Sequence, residues 1–152
     1  MSKELTHVSS DGQVTMVDVS AKEVVTRTAR ACGFIHLQEE TLALISSDGL
    51  KKGNVLATAR IAGIQAAKQT AQLIPLCHQL PLRYVGVDFH EAPEGIRIEA
   101  EARTQAQTGV EMEALTAVSI AALTIYDMCK AVDSSMRIDQ VTLIDKVKEP
   151  IA

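Results

Sequence analysis

Aromatic residues are scarce in this chain of 152 residues: they make up 3% of it, with no tryptophan, two tyrosines and two phenylalanines. Proteins that bind single-stranded nucleic acid stack the bases on aromatic side chains, so the composition argues against that class. Acidic residues (19) outnumber lysine and arginine (15), which gives a formal net charge of −4. A basic footprint for DNA or RNA is therefore absent, and any phosphate site must come from a local group of cations.

Cysteine is also rare, at positions 32, 77 and 129, an odd number with no Cys-x-x-Cys spacing. Such a set does not indicate a disulfide framework and favours a reducing compartment. Residues 1–7 contain no apolar signal core, and the longest apolar stretches are shorter than the roughly 20 residues that span a bilayer. We therefore expect a cytoplasmic protein with neither a membrane nor a nucleic acid as its partner.

The length of the chain fits one domain with a sizeable core. Hydrophobic residues make up 47% and charged residues 22% of the chain, values that are typical of a soluble globular protein. No linker, repeat or low-complexity segment interrupts the sequence. We expect residues 1–152 to form a single domain in which the polar residues 1–15 are a loose arm.

Hydrophobic periodicity predicts the order strand, short helix, long helix, hairpin, long helix, strand. The strands are expected within 24–37, on both sides of the turn 92–95, and within 136–144. The helices are expected over 39–47, over 54–73 with Asn54 as its N-cap, and from a capping box at Thr108–Glu111 to about 132. This order predicts an α+β fold, a ferredoxin-like split βαββαβ sandwich whose antiparallel sheet carries its helices on one face.

The predicted central helix is rich in small residues, which permit close helix packing but limit the core that one subunit can build. This composition indicates an oligomer. The residues concerned are Ala57, Ala59, Ala62, Gly63, Ala66, Ala67 and Ala71.

Two local clusters could carry chemistry. Lys51 and Lys52 lie just before the N-terminus of the predicted central helix, whose free N–H groups and positive dipole end suit a phosphate. The spacing alone favours the alternative, a solvated basic loop. Cys77 and His78 follow Pro75, which ends that helix. Adjacent side chains do not normally point the same way, so a Cys-His nucleophile pair is disfavoured, and His78 stays open as an acid, a base or an anion donor.

The last helix carries widely spaced acidic residues. Glu113 and Asp127 would share one helix face, yet fourteen residues at 1.5 Å each separate them by ~21 Å along the axis. Asp127 and Lys130 stand at i, i+3 and can touch. The two form either a surface ion pair or an acid/base carboxylate whose pKa the ammonium group tunes. Glu111 could simply cap the helix.

Four segments together resemble one family closely. They are MVDVS at 16–20, KGNVLATARIAGIQAAK at 52–68, LIPLCHQL at 73–80 and GVEMEALTAVSIAALTIYDMCKA at 109–131. The family is the cyclic pyranopterin monophosphate synthase family of molybdenum-cofactor biosynthesis, and the resemblance covers about residues 5–146. It implies a ferredoxin-like fold and a homohexamer, a trimer of dimers, with sites at subunit interfaces.

The resemblance also implies an enzyme of the lyase class. The substrate is a 3′,8-cyclised dihydro-GTP (a 5′-triphosphate), the product is cyclic pyranopterin monophosphate, and pyrophosphate leaves. No metal and no organic cofactor is expected. By the resemblance the catalytic residues are Lys52, Asp127 and Lys130, and the substrate-binding residues are Leu76, Cys77, His78, Glu111, Met112, Glu113 and Lys146.

The sequence departs from the usual family pattern at Gln107, where a lysine is usual. It also departs after Lys146, where a Gly-Gly-Lys-Ser-Gly segment usually follows. The alternative to a working synthase is therefore a catalytically weak or inactive homologue that acts as a nucleotide-binding module.

Overall fold

A computed structural model describes residues 5–50 and 54–152 of the chain. Within these ranges the chain forms four strands and four helices. They are β1 (Val25–His36), α1 (Glu39–Ser46), α2 (Val55–Lys68), α3 (Thr70–Leu73), β2 (Leu82–Ala92), β3 (Gly95–Ala106), α4 (Glu111–Cys129) and β4 (Arg137–Glu149).

The strands form one sheet in the order β2-β3-β1-β4, and all neighbouring pairs are antiparallel. This is the strand order of a split βαββαβ sandwich, so the predicted α+β, ferredoxin-like fold is confirmed. The hairpin between β2 and β3 closes where Ala92 pairs with Gly95. Gly95 has a φ of 157°, and a Cβ there would collide with the carbonyl oxygen of Ile35, so only glycine fits this turn.

The core lies between the sheet and the helices α2 and α4. Alternate residues of β1 face it, among them Ala29, Ala31 and Ile35, and α4 buries a face of small and branched side chains. A Cβ on Gly63 of α2 would lie 2.9 Å from the carbonyl oxygen of Ala117 in α4. The close helix packing expected from the small residues is therefore confirmed.

Helix α4 is long and apolar enough, by length and composition, to cross a membrane, which the apolar runs of the sequence alone did not indicate. Half of its most apolar window is buried inside the fold. A core helix of a globular protein passes the same length and composition test, so this single helix is weak support for a membrane span.

The structure differs from the predicted secondary structure in three details. The helix expected over 54–73 is broken at Gln69 (φ −104°, ψ 6°) into α2 and α3. The capping box is wrong, because α4 has Val110 as its N-cap and no side chain caps it. The last strand continues beyond 144 to Glu149 because it pairs with β1 as far as Thr26. The cap by Asn54 is confirmed: its Oδ1 accepts a hydrogen bond from the Ala57 N–H at 2.8 Å.

Candidate functional site

Three cavities that share walls lie in a row beside the N-terminus of α4. The polar cavity has a volume of about 150 Å³ and is lined by His7 and by residues of the segments 76–80 and 108–113. The cationic cavity, about 260 Å³, shares Gly109 and Glu111 with it. The apolar cavity, about 470 Å³, lies on the other side of the polar one and shares His7, Leu76, Cys77 and Met112 with it.

The structure brings together the residues expected to bind substrate. All but one of them line the polar cavity, namely Leu76, Cys77, His78, Glu111, Met112 and Glu113. The remaining one, Lys146, lines the cationic cavity, and its Nζ donates to Glu111 Oε1 at 3.1 Å. The predicted substrate-binding set is therefore contiguous in one chain.

The loop that carries Cys77 and His78 is shaped locally. Helix α3 ends at Leu73, and the Cys77 N–H donates to the Ile74 carbonyl in a turn that includes Pro75. His78 Nε2 donates to the carbonyl of Val17 at 2.7 Å. Because a carbonyl can only accept, Nε2 carries the proton and Nδ1 is the nitrogen left for a ligand.

Glu113 is the most perturbed carboxyl group of the site. Glu113 is only 4% exposed to solvent. Burial, and to a smaller extent the negative charge of Glu111, raises the pKa of Glu113 from 4.5 to about 7. A carboxyl group that is partly protonated at neutral pH can either take up or release a proton, which is what acid–base work requires.

Cys77 is held as a neutral thiol. Partial burial raises the pKa of its thiol, and the charge of Glu113 acts in the same direction. A nucleophilic cysteine needs the opposite shift, towards the thiolate. Cys77 therefore fits the wall of a binding site, in agreement with the sequence argument against a Cys-His nucleophile pair.

The cationic cavity contains two cations that the sequence analysis missed, Arg27 of β1 and Lys148 of β4. These residues lie directly opposite each other in the β1–β4 register. Like charges at such a cross-strand position repel each other, and an anion between them relieves the repulsion. No sequence signal points to this pair, because it exists only through the register of two strands that are far apart in the chain.

Gln107, where the resemblance leads us to expect a lysine, hydrogen-bonds the backbone next to these cations. Its Nε2 donates to the carbonyls of Ser20 at 3.2 Å and Lys22 at 3.0 Å. Lys22 lines a further cavity together with Arg27 and Lys148. The amide thus contributes hydrogen bonds to this loop where a lysine would contribute charge.

Of the expected catalytic residues, Asp127 and Lys130 do not line this row of cavities in one chain. Lys52 lies outside the described residues. Asp127 and Lys130 lie near the C-terminal end of α4, ~21 Å along its axis from Glu113. Lys130 Nζ donates to Asp127 Oδ1 at 2.7 Å, and this hydrogen bond raises the pKa of Lys130. Both side chains are about 60% exposed, so the pair is open to solvent or to a neighbouring chain.

No group of three or more His, Cys, Asp or Glu side chains suited to a metal ion occurs within 5–50 and 54–152. The expectation that the reaction needs no metal and no cofactor stays a prediction.

Comparison with known proteins gives a consistent result over nearly the whole chain. The model of the MoaC family matches residues 16–149. A cyclic pyranopterin monophosphate synthase of Chloroflexus aurantiacus is 61% identical over 145 residues, which cover 94% of this chain and 89% of that protein. The enzymes of the same name from Chloroflexus aggregans and Corynebacterium glutamicum are 58% and 54% identical, over 94% of this chain and 88% and 92% of their own lengths.

Proposed function

This chain belongs to the MoaC family. From that membership we propose how the row of cationic, polar and apolar cavities, which we call the cleft, carries out the family's reaction. Its function is that of a cyclic pyranopterin monophosphate synthase in molybdenum-cofactor biosynthesis. The reaction that we assign to it converts 3′,8-cyclised dihydro-GTP to cyclic pyranopterin monophosphate and releases pyrophosphate. Because a P–O bond is broken without hydrolysis or oxidation, we assign the enzyme to the lyases.

The row of cationic, polar and apolar cavities is the single observation that carries this proposal. The substrate has a matching order of parts: an anionic triphosphate, a polar sugar and a fused ring. The phosphates fit beside Arg27, Lys146 and Lys148, and the ring fits the apolar cavity beside Met112. The atoms that react then lie in the polar cavity, next to Glu113.

In this proposal the cations of the cleft and its buried carboxyl group have different roles. Lys146, Arg27 and Lys148 stabilise the negative charge that develops on the departing pyrophosphate. Glu113, whose pKa is about 7, holds or releases a proton during the ring rearrangement. Lys52 is a further cation of this kind in our proposal. Its role rests on the resemblance to the family.

Asp127 and Lys130 enter the site from another chain in this proposal. They lie too far along α4 from Glu113 to meet the same small substrate in one chain. We propose a homohexamer, a trimer of dimers, in which each cleft receives this pair from a neighbour. In our proposal the enzyme works in the cytoplasm without a metal or a cofactor.

The test of the proposed reaction is the release of pyrophosphate from the cyclised GTP intermediate. The wild-type protein should release it, and Lys146→Ala should lower the rate and weaken substrate binding most at low salt, where exposed charges are least screened. Arg137→Ala is the matched control, because it removes another ion pair of β4, with Asp139, at the other end of the strand.

The alternative of a nucleotide-binding module makes a different prediction in the same experiment. Such a module would bind the intermediate in a salt-dependent way without releasing pyrophosphate. Binding without turnover by the wild-type protein would therefore overturn the enzyme proposal and favour the module.

A further inference from the structure

The segment expected to be a loose arm contains a small hairpin. Val8 and Val14 form an antiparallel bridge, and the Thr15 N–H donates to the His7 carbonyl at 3.0 Å. The turn contains Gly12 with a φ of +80°, a conformation that favours glycine. Residues 7–15, which we call the N-terminal hairpin, thus form an ordered element.

A hydrogen bond and two cavity-lining residues connect the N-terminal hairpin to the cleft. Two residues after it, the Val17 carbonyl accepts the hydrogen bond from His78 Nε2, whose ring lines the polar cavity. His7 and Val14 line the apolar cavity opposite Ile74 and Met112. One wall of the ring end of the cleft is therefore supplied by the hairpin.

His7 differs from the other histidines of the chain. His36 bonds to Asp139, His78 bonds to Val17, and His90 lies 3.8 Å from Glu99. The ring of His7 has no hydrogen bond or ion pair to any residue that the structure describes, and His7 is exposed. It also lines both the polar and the apolar cavities. An imidazole with both nitrogens available thus lies where these two cavities meet.

We propose that His7 hydrogen-bonds the polar edge of the substrate's fused ring and that the N-terminal hairpin positions it there. This inference rests on the proposed function, in which the ring occupies the apolar cavity. Apolar side chains can enclose a ring but cannot orient it, and an unpaired imidazole can both donate and accept a hydrogen bond. His7 is thus a specificity-determining binding residue, separate from the cations at the phosphate end.

The first test compares His7→Ala with His90→Ala in steady-state turnover of the cyclised GTP intermediate. Loss of one hydrogen bond to substrate should raise KM about 10-fold with a smaller change in kcat. His7→Gln, which keeps a donor and an acceptor, should recover part of the loss. Inhibition by pyrophosphate, which occupies only the phosphate end, should have the same constant in all variants.

The second test alters the hairpin without touching the cleft. A Cβ at Gly12 meets no atom within 4 Å, so a substitution there acts through the backbone alone. Gly12→Val is strained at this φ, whereas Gly12→Asn is tolerated there. Gly12→Val should raise KM in the same direction as His7→Ala, and Gly12→Asn should behave like the wild type.

The outcomes separate this inference from the proposed function. A wild-type protein that releases no pyrophosphate contradicts the proposed function. An active wild type with an unchanged KM in His7→Ala, or with equal effects of His7→Ala and His90→Ala, overturns the inference about His7. A changed pyrophosphate constant in His7→Ala also overturns it, because the effect would then have spread beyond the ring end.

Discussion

Glu113 couples the chemistry of the cleft to the stability of the fold. Its pKa rises from 4.5 in the unfolded chain to about 7 in the folded one, so the folded state binds more protons between these values. The free energy of unfolding should therefore be highest below pH 4.5, as far as this group is concerned, and should fall as the pH rises towards 7. The loss is at most ~3 kcal/mol, and water in the cleft screens the charge and reduces it.

Glu113→Gln should remove this pH dependence. Denaturant unfolding of the wild type and the variant at pH 4.5, 6 and 8 measures it, with Glu91→Gln, an exposed residue of β2, as the control. A wild-type curve that instead rises from pH 4.5 to 8 by more than the control would contradict the raised pKa.

Asp127 should be needed for turnover and dispensable for folding. Asp127→Asn keeps the shape of the side chain and removes its titrating proton. General acid–base catalysis contributes about 100- to 10,000-fold, so the turnover rate should fall by at least 100-fold while substrate binding survives. Stopped assays of pyrophosphate release measure the rate. The melting temperature should change little, because the ion pair with Lys130 is exposed.

Lys130 supplies the internal control for that experiment. Lys130→Ala should also lose rate, and the double variant should lose less than the product of the two single losses if the residues act as one unit. If Asp127→Asn turns over at close to the wild-type rate, Asp127 is a surface residue. If the substitution unfolds the protein, its role is structural.

At the scale of elements, the contact between α2 and α4 depends on Gly63. Alanine improves helix propensity by about 1 kcal/mol, but its Cβ would lie 2.9 Å from the Ala117 carbonyl and 3.1 Å from Val87 Cγ2. Overpacking costs ~1–3 kcal/mol, so Gly63→Ala should lower the free energy of unfolding by about 1 kcal/mol. Gln65→Ala, on the exposed side of the same helix, should change it by less than ~0.5 kcal/mol. Urea titration of both variants measures the difference, and a more stable Gly63→Ala protein would refute the tight contact.

The elements were predictable where a local pattern determines them. Alternation identified the strands, and their order gave the sheet topology. The break after α2 was not predictable, because Thr70 is buried and its hydroxyl bonds to the Ala66 carbonyl, a tertiary effect on a sequence that favours helix. The predicted capping box failed because Glu111 pairs with Lys146 of β4, which is distant in the chain.

The site was predictable to the extent that contiguous segments carry it. The resemblance to the family named the residues 76–78 and 111–113, and the structure brings them together. Arg27, Lys148 and His7 were missed for one physical reason. Arg27 and Lys148 reach the cleft through the register of β1 and β4, and His7 reaches it through the N-terminal hairpin. The spacing of nearby residues encodes neither the register nor the hairpin.

At the scale of the whole molecule, the exposed surface of α4 leads us to expect that the chain assembles. One of its faces is core, yet Leu123 is 53% exposed and Tyr126 is 36% exposed, close to Asp127. Large apolar side chains grouped on a surface mark an interface. We expect an oligomer, a hexamer, in dilute neutral buffer, and a single monomeric species by sedimentation at micromolar concentration would contradict it.

Shared sites make a sharper prediction for co-expressed variants. If Asp127 of one chain serves the cleft that contains Lys146 of another, a dimer of Asp127→Asn and Lys146→Ala chains has one intact site and one doubly altered site. Random mixing should then restore about a quarter of the wild-type rate from two proteins that are each less active than this alone. Mixed oligomers that stay inactive would place both residues in the same chain's site.

The pairing of Arg27 with Lys148 across β1 and β4 has a thermodynamic consequence. With no anion between them, these two side chains oppose the closure of the strand pair to which they belong. A polyanion that binds there relieves that opposition and binds only the folded chain, so the melting temperature should rise with its concentration. The repulsion between Arg27 and Lys148 lowers the free energy of unfolding of the ligand-free protein, and its relief on binding contributes to the affinity for the polyanion. Bound substrate should therefore stabilise the folded chain.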